Sequence, residues 1–85
     1  MYSRRSQILV CAYVLIDTAL GKALDVADKV AKFEGVKSAC AVTGAFDIIV
    51  TLDVKKLTDV AELVVKKIHC IEGVCGTQTL ICVTC

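Results

Sequence analysis

Val42-Thr43-Gly44-Ala45-Phe46-Asp47-Ile48-Ile49-Val50 stands at the middle of an 85-residue chain and sets a glycine-containing turn between two apolar, β-branched runs. That pattern is the short-range signal of a β-hairpin. The residues on either side of it read as two versions of one unit. Phe33-Glu34-Gly35-Val36 in the first half returns as Ile71-Glu72-Gly73-Val74 in the second. Each half then reads strand, helix, strand, with the hairpin as the joint.

Met1 to Ser6 is a short polar lead-in, expected to be flexible, and residues 7–85 form one domain. Gln7 to Ile16 is predicted as the first strand. Its apolar residues run almost unbroken, which suits a strand buried on both faces. Asp17 and Thr18 carry side-chain oxygens of the kind that cap helix starts. The first helix is predicted from about Ala19 to Phe33, with Ala23, Ala27, Val30 and Ala31 on its buried face. Asp25 with Lys29, and Asp28 with Lys32, are acid-before-base pairs four residues apart. Gly35 stops that helix. Val36 to Thr43 and Phe46 to Asp53 are the next two strands. Asp53 caps a second helix, about Val54 to His69, whose predicted buried stripe is Leu57, Val60, Ala61, Val64 and Ile68. Val74 to Val83 is the last strand.

Two such units joined by a hairpin give βαββαβ, an α+β ferredoxin-like sandwich. Right-handed crossovers place both helices on one face of a four-stranded antiparallel sheet. The first strand offers Ile8, Val10, Ala12, Val14 and Ile16 on one side, and Leu9, Cys11, Tyr13 and Leu15 on the other. Whichever set faces the helices, the other set is left uncovered. Burying about five such side chains is worth roughly 1.5–3 kcal/mol each. Hydrophobic residues make up 56% of the chain and mean hydropathy is +0.72, more than so small a body can hide. A dimer through the sheet face, helices outermost, is therefore expected.

The charge balance excludes some partners. Ten Lys and Arg against nine Asp and Glu leave a net charge of +1, no field for nucleic acid or an anionic membrane. Ser3-Arg4-Arg5 before the apolar run superficially resembles a signal peptide. That run is too short to span a bilayer and lacks a clear cleavage site, so a cytoplasmic protein is expected. Six cysteines, Cys11, Cys40, Cys70, Cys75, Cys82 and Cys85, permit disulfides, but a cytoplasmic chain argues against a disulfide framework, intracellular proteins of hyperthermophiles being the exception. The strand cysteines Cys11, Cys40 and Cys82 read most simply as small buried hydrophobes. Cys82-Val83-Thr84-Cys85 is a CxxC at the chain end without a partner His, so no metal is expected.

No catalytic constellation is present, and no cofactor is expected. The one histidine, His69, falls in the last turn of the second helix, where the helix dipole favours a cation. Asp47 has two readings. It is a turn aspartate bonding nearby backbone, or a carboxylate that receives the ammonium group of a small ligand while backbone N–H groups of the turn receive the ligand's carboxylate. Thr77 and Thr79 add hydroxyls, or are ordinary strand formers.

Gly44-Ala45-Phe46-Asp47 before an apolar strand, then Gly73-Val74 and Thr77-x-Thr79 before another, resembles the effector-binding half of the Lrp/AsnC family of transcription regulators, the RAM domain. The likeness covers about Ile8 to Val83. It implies a non-enzymatic module that binds a small amino acid near the turn between strands two and three, where dimers meet, commonly in a tetramer of dimers (an octamer). Carried over by position, the effector region is Ala41, Val42, Thr43, Gly44, Ala45, Phe46 and Asp47, with Thr77, Thr79, Leu80 and Ile81. Phe46 stands where the family often has Tyr. The family usually carries a helix-turn-helix domain before this module. Here Met1 to Ser6 precede the first strand, so a stand-alone module is expected, without direct DNA binding, whose partners are itself and full-length Lrp/AsnC regulators. The competing readings are an enzyme of the dimeric α+β-barrel type, such as a small monooxygenase or isomerase, and a structural or thiol-based interaction module.

Overall fold

The computed structural model describes residues 10–82. The lead-in, Met1 to Ser6, and Cys85 lie outside them. The elements run β1 (Val10–Thr18), α1 (Ala23–Val30), β2 (Val36–Ala41), β3 (Ile48–Val54), α2 (Leu57–Glu62), which continues as a π-helical stretch (Leu63–Ile68), and β4 (Val74–Ile81). The four strands form one antiparallel sheet in the order β2-β3-β1-β4. This is the ferredoxin-like βαββαβ arrangement, with β1 in the interior of the sheet and β2 and β4 at its edges.

The alternation along β1 decides which face carries the core. Ala12, Val14 and Ile16 are fully buried, together with Ile48, Val50 and Leu52 opposite them on β3. The helices cover that face with Val26, Ala27 and Val30 of α1, and with Val60, Leu63, Val64 and Ile68 of the second helical run. The other β1 set, Cys11, Tyr13 and Leu15, stays partly in solvent on the uncovered face. Ile49 on β3 and Leu80 on β4 share that face, being paired with Leu15 and Tyr13. Tyr13, Ile49 and Leu80 are 40%, 38% and 44% exposed. The sheet therefore has one sealed apolar face and one unsealed apolar face. Cys40 is exposed, and Cys11 and Cys82 are half-buried, so the expectation that the strand cysteines are buried does not hold within one subunit.

Helix starts depart from the sequence reading. Asp17 and Thr18 belong to β1, and α1 begins after Lys22, which makes no side-chain cap. Strand pairing took these two residues: Asp17 sits opposite Gly76, and Thr18 opposite Val74. Asp53 likewise belongs to β3, where its N–H donates to the Gly35 carbonyl at 3.0 Å. The second helix starts one turn later, and Asp59 accepts the Lys56 N–H at 3.3 Å, which is half of a capping box. Leu57 is 58% exposed and Ala61 is exposed; Leu63 packs inward, outside the predicted stripe. Both expected pairs at helical spacing form, Asp25–Lys29 at 3.3 Å and Asp28–Lys32 at 3.7 Å, and Glu62–Lys66 at 3.7 Å makes a third of the same kind; all are well exposed and worth about a few tenths of a kcal/mol each.

The internal echo is structural as well. Val36 donates to the Phe33 carbonyl and Val74 to that of Ile71, both at 3.2 Å. At both junctions the glycine takes a positive φ, +95° at Gly35 and +103° at Gly73. A Cβ at Gly73 would lie 3.1 Å from Lys22 Cβ and 3.2 Å from Val26 Cγ2, so both backbone conformation and space demand glycine. Gly73→Ala is expected to lower stability by at least about 1–2 kcal/mol, read as a lower midpoint in urea; an unchanged midpoint would show that the junction is not under this constraint.

Candidate functional site

The hairpin joint is a longer loop than a tight turn. Val42 donates to the Asp47 carbonyl at 2.8 Å, which extends the β2–β3 ladder by one step and leaves Thr43 to Phe46 as the loop. Thr43, Gly44 and Ala45 are exposed, while Val42, Phe46 and Asp47 are half-buried.

Asp47 is tied into the sheet on three sides. Its N–H donates to the Ile16 carbonyl at 3.0 Å, and its carbonyl accepts from Val42. Its carboxylate oxygen Oδ2 accepts the Thr18 N–H at 2.8 Å and the Thr18 hydroxyl at 3.3 Å. So the Asp47 carboxylate does bond backbone, but across the sheet to the end of β1 rather than within its own turn. The consequence is a carboxylate fixed in direction by a charge-assisted bond. It stands on the wall of an open groove of about 500 Å³, with the β1–α1 connection forming the rest: Thr18, Ala19, Leu20, Gly21, Ala23 and Leu24. Leu20 and Leu24 are 102% and 77% exposed there. An oriented carboxylate beside unsealed apolar surface can receive a cation that carries a hydrocarbon group.

The β4 residues lie elsewhere. Thr77 pairs with Ile16, Ile16 with Ile48, and Ile48 with Ala41. Thr77 and Ala41 are thus in one row across the sheet but on opposite edges. Three strand spacings of about 4.8 Å separate them. Thr77 Oγ1 lies 2.8 Å from His69 Nε2, at the end of the π-helical stretch. Thr79 is exposed, and Leu80 and Ile81 are 44% and 43% exposed. One subunit therefore presents the expected site residues as two separate groups. Ala41 to Asp47 make one, and Thr77, Thr79, Leu80 and Ile81 make the other.

A second open groove of about 560 Å³ lies at the far end of β3, between Glu34, Asp53, Lys55, Asp59, Glu62 and Lys66 among others. Charges of both signs line it, and it contains none of the expected residues. Among the described residues no group of three or more His, Cys, Asp or Glu could hold a metal ion. No helix there is long and apolar enough to cross a membrane.

Comparison with known proteins agrees with this fold. Residues 11–84 match the family model of the Lrp/AsnC ligand binding domain. The chain belongs to the Lrp/AsnC family. It is 32% identical over 72 residues to an uncharacterised HTH-type transcriptional regulator of Pyrococcus horikoshii, across 85% of this chain and 46% of that protein. The chain spans about half the length of the curated relatives it matches. The crystal structure of FFRP-DM1 superposes with a TM-score of 0.81 at 32% identity, covering 87% of this chain and 99% of that one. A transcriptional regulator of Neisseria meningitidis, solved as an L-Met complex, shares the fold with a TM-score of 0.80 at 18% identity, over 99% of this chain and 59% of that one.

Thr18, Leu20 and Leu24 are among the groove residues that the sequence reading did not select for the site. Thr18 looked like a helix cap, and a leucine beside a glycine gives no sign of its exposure. Asp47→Ala leaves the half-buried Thr18 N–H without its partner. It is expected to cost about 1–3 kcal/mol in urea unfolding, and Asp47→Asn, which keeps an acceptor, less; equal midpoints for all three proteins would show that the bond carries no weight.

Proposed function

We propose that this chain is a non-enzymatic sensing module that binds a small amino acid and tunes transcription through ligand-dependent assembly, with itself or with full-length Lrp/AsnC regulators. Its membership of the family through the ligand-binding domain supports the class of function. The observation that carries the mechanism is the split site. Ala41 on the β2 edge and Thr77 to Ile81 on the β4 edge lie three strand spacings apart, with Asp47 between them beside β1, and in this reading a second copy of the chain completes the site. A ligand held there is linked by mass action to the assembly state.

In this reading Asp47, already oriented by Thr18, receives the ligand ammonium. Exposed backbone of Thr43 to Ala45 receives its carboxylate, and Leu20 and Leu24 offer apolar surface to its side chain. Ala45 adds only a methyl group and Phe46 no hydroxyl, so the loop contributes shape rather than side-chain hydrogen bonds. Copies pair through the uncovered sheet face first, and the dimers then associate as a tetramer of dimers. The module acts in the cytoplasm and contacts neither DNA nor membrane directly. The enzyme reading finds less support: the grooves are open and lie at the ends of β3, and no polar or charged residue is buried among the described residues.

Isothermal titration calorimetry with a panel of amino acids, read beside the sedimentation mass of the same samples, tests the proposal. An aliphatic amino acid is expected to bind the native protein, to shift its assembly state, and to bind Asp47→Asn at least about tenfold more weakly. No heat from any amino acid, with an unchanged mass, would contradict it.

A further inference from the structure

His69 ends the second helical run, where its N–H donates to the Val64 carbonyl at 2.9 Å. Its ring is tied to the sheet: Nε2 lies 2.8 Å from the Thr77 hydroxyl oxygen on β4. Thr77 pairs with Ile16 and Thr79 with Val14. Both of those partners are buried in the core, and opposed residues share a face. The two threonines therefore stand on the helix side of the β4 edge, with the imidazole bonded to the first of them. His69 and Thr79 are exposed and Thr77 is half-buried, so this polar group meets the solvent at the rim of the sheet.

The bond between His69 and Thr77 has two possible directions. A threonine hydroxyl has one proton to give and lone pairs that receive. When a neutral imidazole carries its proton on Nδ1, Nε2 accepts the Thr77 proton, and the hydroxyl oxygen can then only receive further bonds. When the ring is an imidazolium, Nε2 donates to Oγ1, and the Thr77 proton is free for an anion. The charged groups of the surrounding elements are Lys66 and Lys67 in the same helical run, Glu72 in the turn that follows, and Lys22 before α1, whose stem approaches Gly73. Lys66 is held by Glu62 at 3.7 Å, and Lys67 lies over the Phe33 ring at 5.9 Å. β4 brings no charge of its own; the titratable neighbours in sequence are the exposed thiols of Cys70 and Cys75.

We propose that His69 is a positioning residue for the ligand: its imidazolium holds Thr77 with the hydroxyl proton directed to the carboxylate of the bound amino acid. The inference rests on the reading above, in which β4 of one copy and the Asp47 loop of another share the ligand. A carboxylate has two oxygens, so loop backbone and Thr77 can bind it together. Carboxylates are ordinarily ionised above about pH 5.5, and histidine is the side chain whose charge ordinarily changes between about pH 5 and 8. Binding therefore tightens as pH falls across that range, and by linkage a bound amino acid favours the protonated ring.

The test is calorimetry on the full chain with L-leucine, L-valine and L-methionine as probes, beside proton NMR of the chain's one histidine. Affinity is expected to be about five- to tenfold higher near pH 5.5 than near pH 7.5. That difference should vanish in His69→Gln, whose amide can still bond Thr77 but takes up no proton; urea midpoints of the two proteins check that the variant is folded. The His69 ring should titrate at higher pH with a probe bound than without. A flat pH profile, a ring titration unmoved by a bound probe, or a pH dependence retained in His69→Gln overturns this inference and leaves the sensing reading standing. No binding by any probe at either pH overturns both. The ring titration of the native chain decides even if the variant fails to fold.

Discussion

Two helices can seal one face of a four-stranded sheet, and this chain makes both faces apolar. Everything else in the molecule follows from that mismatch. On one side Val14, Ile16, Ile48 and Val50 are wholly excluded from water under Val26, Val30 and Ile68. On the other, Tyr13, Leu15, Ile49 and Leu80 lie in the same pleated surface with no layer of the described residues above them. Period-two alternation fixes this division, since a slip of one residue would exchange the two sets. The hairpin, the two glycine junctions and the crossovers hold the register. They determine which apolar set is left uncovered.

The same geometry distributes the candidate binding residues. The loop before β3 reaches the middle of the sheet through Asp47, which bonds Ile16 and Thr18 on β1. That contact converts a loop aspartate into a directed carboxylate. Thr77 pairs with Ile16 on the far side of β1, at the β4 edge. In the proposed reading such a module senses a ligand through its neighbours, and the covering of the bare face and the completion of the site become one problem. The family relationship supplies the kind of function, while the spread of the candidate residues across the sheet is the reason the proposal links function to assembly.

Much of this was legible in the residues. The repeated aromatic-or-aliphatic–Glu–Gly–Val junction marked two equivalent units, and both glycines take the positive φ that their place before a strand requires. The unbroken apolar run of the first strand foretold a sheet with two greasy faces. The Gly44 to Asp47 motif pointed to the family. Local signals failed where tertiary pairing outbid them. Asp17, Thr18 and Asp53 have the chemistry of helix caps, yet each found a strand partner, and strand pairing extended β1 and β3 past the expected ends. Leu57 and Ala61 fit a helical stripe but lie outside the covered region, while Leu63 packs inward from a π-helical stretch that apolar spacing does not announce. The exposure of Leu20 and Leu24 was also invisible, because hydrophobicity alone cannot say which leucine lacks a neighbour.

The central claim is that the uncovered sheet face is closed by a second copy of the chain. Sedimentation equilibrium over a wide dilution range, comparing the native protein with Leu15→Lys, addresses it most directly. A native protein that sediments as a dimer or larger, beside a folded Leu15→Lys variant that sediments as a single chain, is the predicted result. A native protein that remains a folded single chain at every concentration would contradict the account.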